Sequence, residues 1–142
     1  MSQDLRRTRQ AAALERAFAR AARPLSPKEA LALGQEEVPE LSLATVYRWL
    51  KRETERGTLV PVELPGLASR FELASAAEEH HHHFHCRACE RVFDLDGCTG
   101  GIEALAPPGF LVEDHNLLLQ GLCGECSPRK ALRKAPRKAR GT

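Results

Sequence analysis

Ten consecutive residues of this chain read His80-His81-His82-His83-Phe84-His85-Cys86-Arg87-Ala88-Cys89. A second thiol pair, Cys123-Gly124-Glu125-Cys126, follows after 33 intervening residues. Imidazole and thiolate are the side chains that zinc and related transition metals prefer as ligands. The two segments therefore predict a chain built around metal, in which the intervening structure brings the two thiol pairs together.

The histidine and cysteine stretch also has two weaker interpretations. A purification tag does not fit, because the run is internal, is interrupted by Phe84 and leads directly into a Cys-x-x-Cys pair. Redox chemistry of a dithiol stays open, but it needs one such pair with an activated thiol, and this chain has two pairs and a histidine cluster. We therefore favour a four-thiolate tetrahedral zinc site, which leaves no coordination position open for catalysis.

Length and composition limit the class of protein. The chain has 142 residues, enough for one ordinary domain or two small ones, with 42% hydrophobic and 28% charged residues, a soluble globular balance. No apolar run approaches the roughly 20 residues that span a bilayer, and the first residues lack the apolar core of a signal peptide. We expect a cytoplasmic protein with no membrane partner, in which cysteines ligate metal rather than form disulfides. The fifth cysteine, Cys98, is interpreted as a small buried residue or a bystander rather than a ligand.

The net charge of +2 conceals an asymmetry along the chain. Residues 127–142 carry seven Lys or Arg and no acid, which leaves 14 basic against 19 acidic residues in the rest. Such a segment predicts a disordered basic tail. It either adds nonspecific attraction to nucleic acid or only increases solubility.

Residues 1–77 are predicted to form helices followed by a β-hairpin. Helices are indicated by the Ala-rich segment 11–22, by the capping box at 26–29 with a stop at Gly34, and by residues 41–56 with a stop at Gly57. Residues 59–64 and 69–73 flank a Pro-Gly turn and predict two paired strands. This order is typical of a winged helix-turn-helix.

The third predicted helix has two distinct faces. Leu43, Val46 and Leu50 form an apolar stripe that would face a core. A second stripe combines a small residue, an aromatic hydroxyl and two cations: Ala44, Tyr47, Arg48 and Lys51. This is what a helix entering a DNA major groove presents, although an ordinary solvated face has a similar composition. The hairpin that follows favours DNA binding.

Residues 78–126 predict a second, smaller unit. Its strands are expected at 80–86, 92–95 and 115–122, with a helical piece at 101–106 that ends at Pro107-Pro108. The predicted fold is therefore α+β: an N-terminal winged helix-turn-helix, then a small α/β domain, then the basic tail at 127–142.

The order of these motifs resembles the ferric uptake regulator (Fur) family. The motifs are Leu43-Ala44-Thr45-Val46-Tyr47-Arg48, the hairpin ending Phe71-Glu72-Leu73, the His80–Cys89 run, His115, and Cys123-x-x-Cys126. The resemblance implies a homodimeric, metal-dependent transcription factor, usually a repressor, and not an enzyme. Its N-terminal domain would bind double-stranded DNA at a pseudo-palindromic operator, and its C-terminal domain would dimerise and hold metal. No small-molecule substrate is implied.

The resemblance also implies three metal sites and a DNA-binding surface. The structural zinc site would be Cys86, Cys89, Cys123 and Cys126. The sensing site would take His81 and His83, with Glu63 and Glu72 as the available carboxylates. The second site, in the dimerisation domain, would be His80, His82, Glu103 and His115. From the polar face of the third helix and the arginine cluster near the N-terminus, we expect the DNA contacts to be Arg9, Thr45, Tyr47, Arg48 and Lys51. Strand geometry agrees with two separate histidine sets, because alternate residues face opposite sides of a sheet.

Departures from the family pattern bear on which metal is sensed. Many iron-sensing members have a histidine where this chain has Pro24, and zinc-sensing relatives often add a cysteine near position 72 that is absent here. We expect zinc sensing, as in the zinc uptake regulator (Zur) branch, with zinc also as the structural metal. Iron or manganese sensing is the alternative, because an oxygen-rich site suits harder ions, and peroxide sensing through iron is a further one. His85 is given a structural role.

Two functions of a different class remain. A zinc hydrolase needs an open coordination position and a general base, and the chain contains no His-Glu-x-x-His motif. A zinc-stabilised scaffold without DNA binding would be indifferent to replacement of Tyr47 and Arg48.

Overall fold

The computed structural model describes residues 2–77, 82–95, 97–98 and 100–128. The predicted strand positions His80 and His81 and the basic tail from residue 129 onward lie outside the described residues. Within the described part of the chain, no helix combines the length and the apolar composition that a membrane crossing requires.

Three helices form the N-terminal half: α1 (Ser2–Ala21), α2 (Pro27–Gln35) and α3 (Leu43–Arg56). The boundaries of α3 follow the predicted signals. Ser42 caps its first turn by accepting a hydrogen bond from the backbone N–H of Thr45, and Gly57 ends it in the left-handed conformation with φ of 79°. The capping box at Ser26 and Glu29 also forms as predicted.

Two of the predicted helix boundaries were wrong. α1 starts at Ser2 rather than near residue 11, because its polar first half has good helix formers but no apolar periodicity to reveal it. Gly34 does not stop α2 but lies buried inside it. A Cβ at Gly34 would come within 2.6 Å of Leu41 Cδ2 and 3.3 Å of Leu14 Cδ2, so the glycine serves close packing rather than termination.

The apolar stripe of α3 packs into a core shared by all three helices. Val46 and Leu50 are fully buried there, and the Phe18 and Trp49 rings lie 5.7 Å apart. Burial of each such side chain stabilises the fold by about 1.5–3 kcal/mol. The opposite stripe of α3 is left on the surface.

An antiparallel hairpin of β1 (Leu59–Val62) and β2 (Arg70–Leu73) follows α3, with Leu59 opposite Leu73. Leu25 pairs with Phe71 through two backbone hydrogen bonds, of 2.8 and 2.9 Å, so the hairpin is attached to the start of α2. The helices and hairpin together form the predicted winged helix-turn-helix. A short helix, α4 (Ala74–Ala77), which the sequence did not indicate, follows directly.

The C-terminal half contains a three-stranded sheet in the order β4-β3-β5. Strand β3 (His82–Cys86) pairs antiparallel with β4 (Val92–Leu95) and parallel with β5 (Leu118–Gly121). A single 3-10 turn at Ile102–Leu105 occupies the position of the predicted helical piece. Strand β5 starts three residues later than predicted, and the Leu117 N–H just before it bonds to the His82 ring.

Candidate metal centres and nucleic-acid surface

The four paired cysteines converge at one end of the three-stranded sheet. Their sulfurs lie within 4.8 Å of one another, with Cys89 Sγ and Cys123 Sγ 3.8 Å apart, and none forms a disulfide. Four sulfurs at about 2.3 Å from a tetrahedral zinc ion would themselves be about 3.8 Å apart. The donor set and its spacing therefore fit the predicted four-thiolate zinc site.

The environment of these thiols lowers the pKa of two of them, Cys86 and Cys123. Burial raises the pKa of Cys86, but backbone N–H groups of Cys89, Cys123 and Ala88 outweigh it and lower that pKa to about 6. A hydrogen bond with Cys123, together with burial, raises the pKa of Cys126 to about 12 in the metal-free protein. Cys86 and Cys123 are therefore the thiols that deprotonate most readily, and the remaining protons leave when zinc binds.

A second group of donors lies between the hairpin and the sheet. Glu72 comes from β2, His83 from β3 and Asp94 from β4, with ligand atoms within 4.8 Å of one another. His83 Nε2 is 3.2 Å from Asp94 Oδ1, because these residues are directly opposed in the β3–β4 register. Glu72 is only 4% exposed. Two ionised carboxylates whose oxygens lie within 4.8 Å would repel each other by about 3.5 kcal/mol or more at an effective dielectric of about 20, and a divalent cation between them would turn that repulsion into attraction.

The other residues predicted for the sensing site are placed differently. Glu63 is exposed and lines the same cavity of about 410 Å³ as Glu72 and His83, but it is not in the group of converging donors. His81 lies outside the described residues. Pro24 is fully buried and offers no ligand.

A third group of donors lies on the opposite side of β3. His82, Cys98 and His115 have ligand atoms within 4.8 Å of one another. Cys98 Sγ is 3.4 Å from His82 Nε2 and 2.9 Å from His115 Nε2. Glu103 Oε1 is 4.0 Å from His115 Nδ1 and is not in the converging group. Cys98, interpreted from the sequence as a bystander, instead lies between the two imidazoles, and the predicted His80 is outside the described residues.

Asp94 and Cys98 were therefore missed as candidate ligands. Asp94 could have been found from register, since pairing of β3 with β4 through the Cys86–Cys89 turn sets it opposite His83. Cys98 had no comparable signal, because it lies in an irregular connection after β4 whose path the sequence does not specify. His85 is buried, 3.0 Å from the Glu90 carboxylate, and belongs to none of the three donor groups.

One buried arginine connects the hairpin to the turn that carries the zinc thiols. Arg70, 5% exposed, donates to the backbone carbonyls of Glu90 at 2.6 Å and Ala68 at 2.9 Å. Glu90 directly follows Cys89 and has the left-handed backbone conformation, with φ of 63°. Hydrogen bonds from a charged donor contribute about 1.5–3 kcal/mol each, so the hairpin is firmly attached to the four-cysteine region.

The polar face of α3 is accessible, as a groove-binding helix requires. Tyr47 is 53% exposed, and Arg48 and Lys51 are also on the surface. Arg48 donates to Thr45 Oγ1 at 3.1 Å, which orders its guanidinium. Arg7, Thr45, Arg48 and Arg52 line one concavity beside this helix. The surface therefore combines cations with hydrogen-bonding groups on one helix face.

Part of the basic character of α1 is neutralised within the fold. Arg9 pairs with Glu40 at 3.2 Å, Arg16 with Glu37 at 2.5 Å and Arg20 with Glu36 at 3.3 Å. A hydrogen bond from Arg16 lowers the pKa of Glu37. Exposed pairs of this kind are weak, so Arg9 can exchange its carboxylate for a phosphate.

Known proteins are similar to this chain in sequence and in fold. The model of the ferric uptake regulator family matches residues 2–119. The chain is 30% identical over 110 residues to the ferric uptake regulation protein of Bacillus subtilis, covering 75% of this chain and 74% of that protein. It is 31% identical over 97 residues to the peroxide operon regulator of the same organism, covering 65% and 63% respectively.

Among solved structures, the chain is similar to a zinc-bound manganese uptake regulator. The TM-score is 0.68 at 25% identity, covering 80% of this chain and 87% of that one. The α+β fold, with its N-terminal winged helix and C-terminal small sheet, is common to both.

Proposed function

The chain belongs to the ferric uptake regulator family, and from that premise we propose that it is a zinc-responsive repressor of metal uptake genes. Members of this family are metal-responsive transcriptional regulators that bind DNA and act as dimers; they are not enzymes. The sensed metal, the operator symmetry and the individual ligands are the parts that we propose.

The observation that carries the proposal is the donor group of Glu72, His83 and Asp94. One ligand comes from the hairpin and two come from the three-stranded sheet. A metal held by all three would fix the winged helix relative to the C-terminal unit. A metal shifts the equilibrium between two protein conformations only if it binds one of them more tightly. This site would therefore promote DNA binding if all three ligands converge only in the conformation that binds DNA. We propose His81 as a further ligand of this site.

Zinc is the metal that we propose first. The absence of a histidine at Pro24 departs from the iron-sensing pattern, and zinc accepts mixed imidazole and carboxylate ligands in a four-coordinate site. One observation favours manganese or ferrous iron instead. Asp94 adds a second buried carboxylate, and oxygen-rich sites suit those harder ions. The similar proteins include a ferric uptake regulation protein and a peroxide operon regulator, and iron and peroxide sensing are therefore the alternatives to zinc.

The dimer surface is proposed on the C-terminal unit. Leu105, Phe110 and Leu111 are 85%, 70% and 85% exposed, and β5 has an outer edge that pairs with no other described strand. Large exposed apolar side chains beside an open strand edge are typical of a surface covered by another protein. A second copy of the chain would place two α3 helices about a two-fold axis. We therefore propose a pseudo-palindromic operator.

The decisive experiment is DNA binding by protein that keeps its four-thiolate zinc but has been cleared of other metal. Titration with zinc, manganese and ferrous iron is expected to restore operator binding, with zinc acting at the lowest free concentration. Stimulation by manganese or iron alone would replace zinc as the sensed metal. DNA binding that ignores every metal would refute metal regulation, and no binding by a stable dimer would favour the scaffold.

A further inference from the structure

We propose that Cys98 is a metal ligand and that His82, Cys98 and His115 form a mixed thiolate and imidazole site for zinc. The sequence pattern suggested only nitrogen and oxygen ligands for this region, so the thiolate changes its chemistry. The regulatory meaning of the site rests on the proposed function, whereas ligation by Cys98 is a property of the protein without DNA.

The three donor atoms are already spaced for a single ion. Zinc bonds of about 2.3 Å to sulfur and about 2.0 Å to nitrogen place the sulfur about 3.5 Å from each nitrogen in a tetrahedral site. Cys98 Sγ is 3.4 Å from His82 Nε2 and 2.9 Å from His115 Nε2. The second distance has to open by about half an ångström, which a rotation of the exposed Cys98 side chain supplies.

Three separate segments supply the donors, so their convergence is a product of the fold. His82 is the first residue of β3, Cys98 lies in the connection after β4, and His115 precedes β5. His82 is 2% exposed, whereas Cys98 is on the surface. The site therefore has a buried base and an open side, through which metal and a fourth ligand can enter.

The position of Glu103 assigns it a supporting role. Its carboxylate faces Nδ1 of His115 at 4.0 Å, while Nε2 of the same ring faces Cys98. A metal-bound histidine usually directs its other ring nitrogen to a carboxylate, which fixes the ring and raises its basicity. We therefore assign His115 Nε2 as the ligand atom and Glu103 as the residue that orients it.

His82 must change one hydrogen bond to take part. Its Nδ1 accepts from the Leu117 backbone N–H at 3.0 Å, which holds Nε2 toward Cys98. Zinc at Nε2 would leave the ring proton on Nδ1, so the Leu117 amide would have to turn away. One net backbone hydrogen bond is small beside the free energy of binding a zinc ion to thiolate and imidazole.

A thiolate in this position selects among metals. Sulfur ligands favour zinc and related soft ions, whereas manganese and magnesium prefer oxygen. This site would therefore be selective for zinc even if the Glu72, His83 and Asp94 site responds to manganese or iron. The chain would then distinguish two metals through two donor sets on opposite sides of one strand.

Cobalt(II) provides a direct test, because a cobalt–thiolate bond has a near-ultraviolet charge-transfer band. The full chain, with its four-thiolate zinc retained and verified at one per chain, is titrated with cobalt without DNA. A band is expected that saturates at one cobalt per chain and is abolished by stoichiometric zinc. Cys98→Ser should eliminate this band. Asp94→Asn, in the other cluster, should keep it.

Glu103→Gln tests whether the carboxylate beside His115 supports metal binding without affecting the thiolate bond. The cobalt band should persist in this variant, with metal affinity lowered about 10-fold to 100-fold. Absence of the band in the unmodified protein would overturn the proposal, as would its persistence in Cys98→Ser. The titration of the unmodified protein therefore tests the proposal even if a variant folds poorly. Because no step uses DNA, failure of metal-regulated DNA binding would refute the proposed function and leave this result unchanged.

Discussion

Loss of the four-thiolate zinc should unfold the C-terminal sheet while the N-terminal helices stay folded. Among the described residues from 82 onward, the buried apolar ones are Cys86, Val92 and Cys123. Two of these three are themselves candidate ligands, so the metal replaces a hydrophobic core. Structural zinc sites contribute about 10–16 kcal/mol, whereas whole domains are stable by about 5–15 kcal/mol. Cys123→Ser should therefore leave too little stability for this unit.

The chain carries its own reporter for the part expected to survive. Trp49 is the single tryptophan and lies 4% exposed in the helical core, so its fluorescence follows the N-terminal unit alone. In Cys123→Ser we expect zinc content near zero and loss of the dimer, with Trp49 emission still that of a buried indole. Cys98→Ser, a cysteine replacement outside the four-thiolate group, is the matched control and should retain the four-thiolate zinc, the dimer and the folded C-terminal sheet. A zinc-free Cys123→Ser dimer with unchanged thermal stability would refute this reasoning.

Three further predictions concern DNA, metal response and assembly. Arg48→Ala and Tyr47→Ala should each weaken operator binding by about 1–3 kcal/mol in a mobility-shift or anisotropy assay, while zinc content and the dimer persist. Arg20→Ala is the control. Equal DNA affinity of all three variants would show that α3 does not contact the bases in the groove. Metal-stimulated DNA binding should be lost, with the structural zinc and the dimer retained, in four variants: His83→Ala, Glu72→Gln, Asp94→Asn and His81→Ala. A milder loss is expected from His80→Ala or His82→Ala. The reverse ranking would mean that the roles of the two faces of β3 are exchanged. Phe110→Asp should raise the dimer dissociation constant in sedimentation experiments, with the exposed Leu5→Asp as control, and an unchanged constant would place the dimer surface elsewhere.

The parts of the site that local patterns specify could be predicted from the sequence. Paired thiols at Cys86 and Cys123, the capping box at Ser26 and the stop at Gly57 each express a short-range rule, and the helix and hairpin order follows from such rules. Alternation along β3 is similarly local, and His82 and His83 do contribute to different donor groups in the structure.

The rest depends on how distant segments meet. Asp94 becomes a candidate ligand only through the β3–β4 register, and Cys98 only through the path of an irregular connection. Gly34 shows the same limitation in the helices. A glycine near a helix end usually indicates a stop, but here the approach of Leu41 requires it, and that contact is a tertiary one.

His82 and His83 are neighbours on one strand, yet their imidazoles belong to two donor groups. A metal ion that immobilises the imidazole of His82 also restricts the backbone that carries His83, and the reverse holds as well. The second ion therefore binds a segment that is already ordered and loses less conformational entropy on binding. Linkage makes this cooperativity reciprocal: each metal raises the affinity for the other by the same factor. We therefore expect the two occupancies to rise together, over a narrower interval of metal concentration than two independent sites would give.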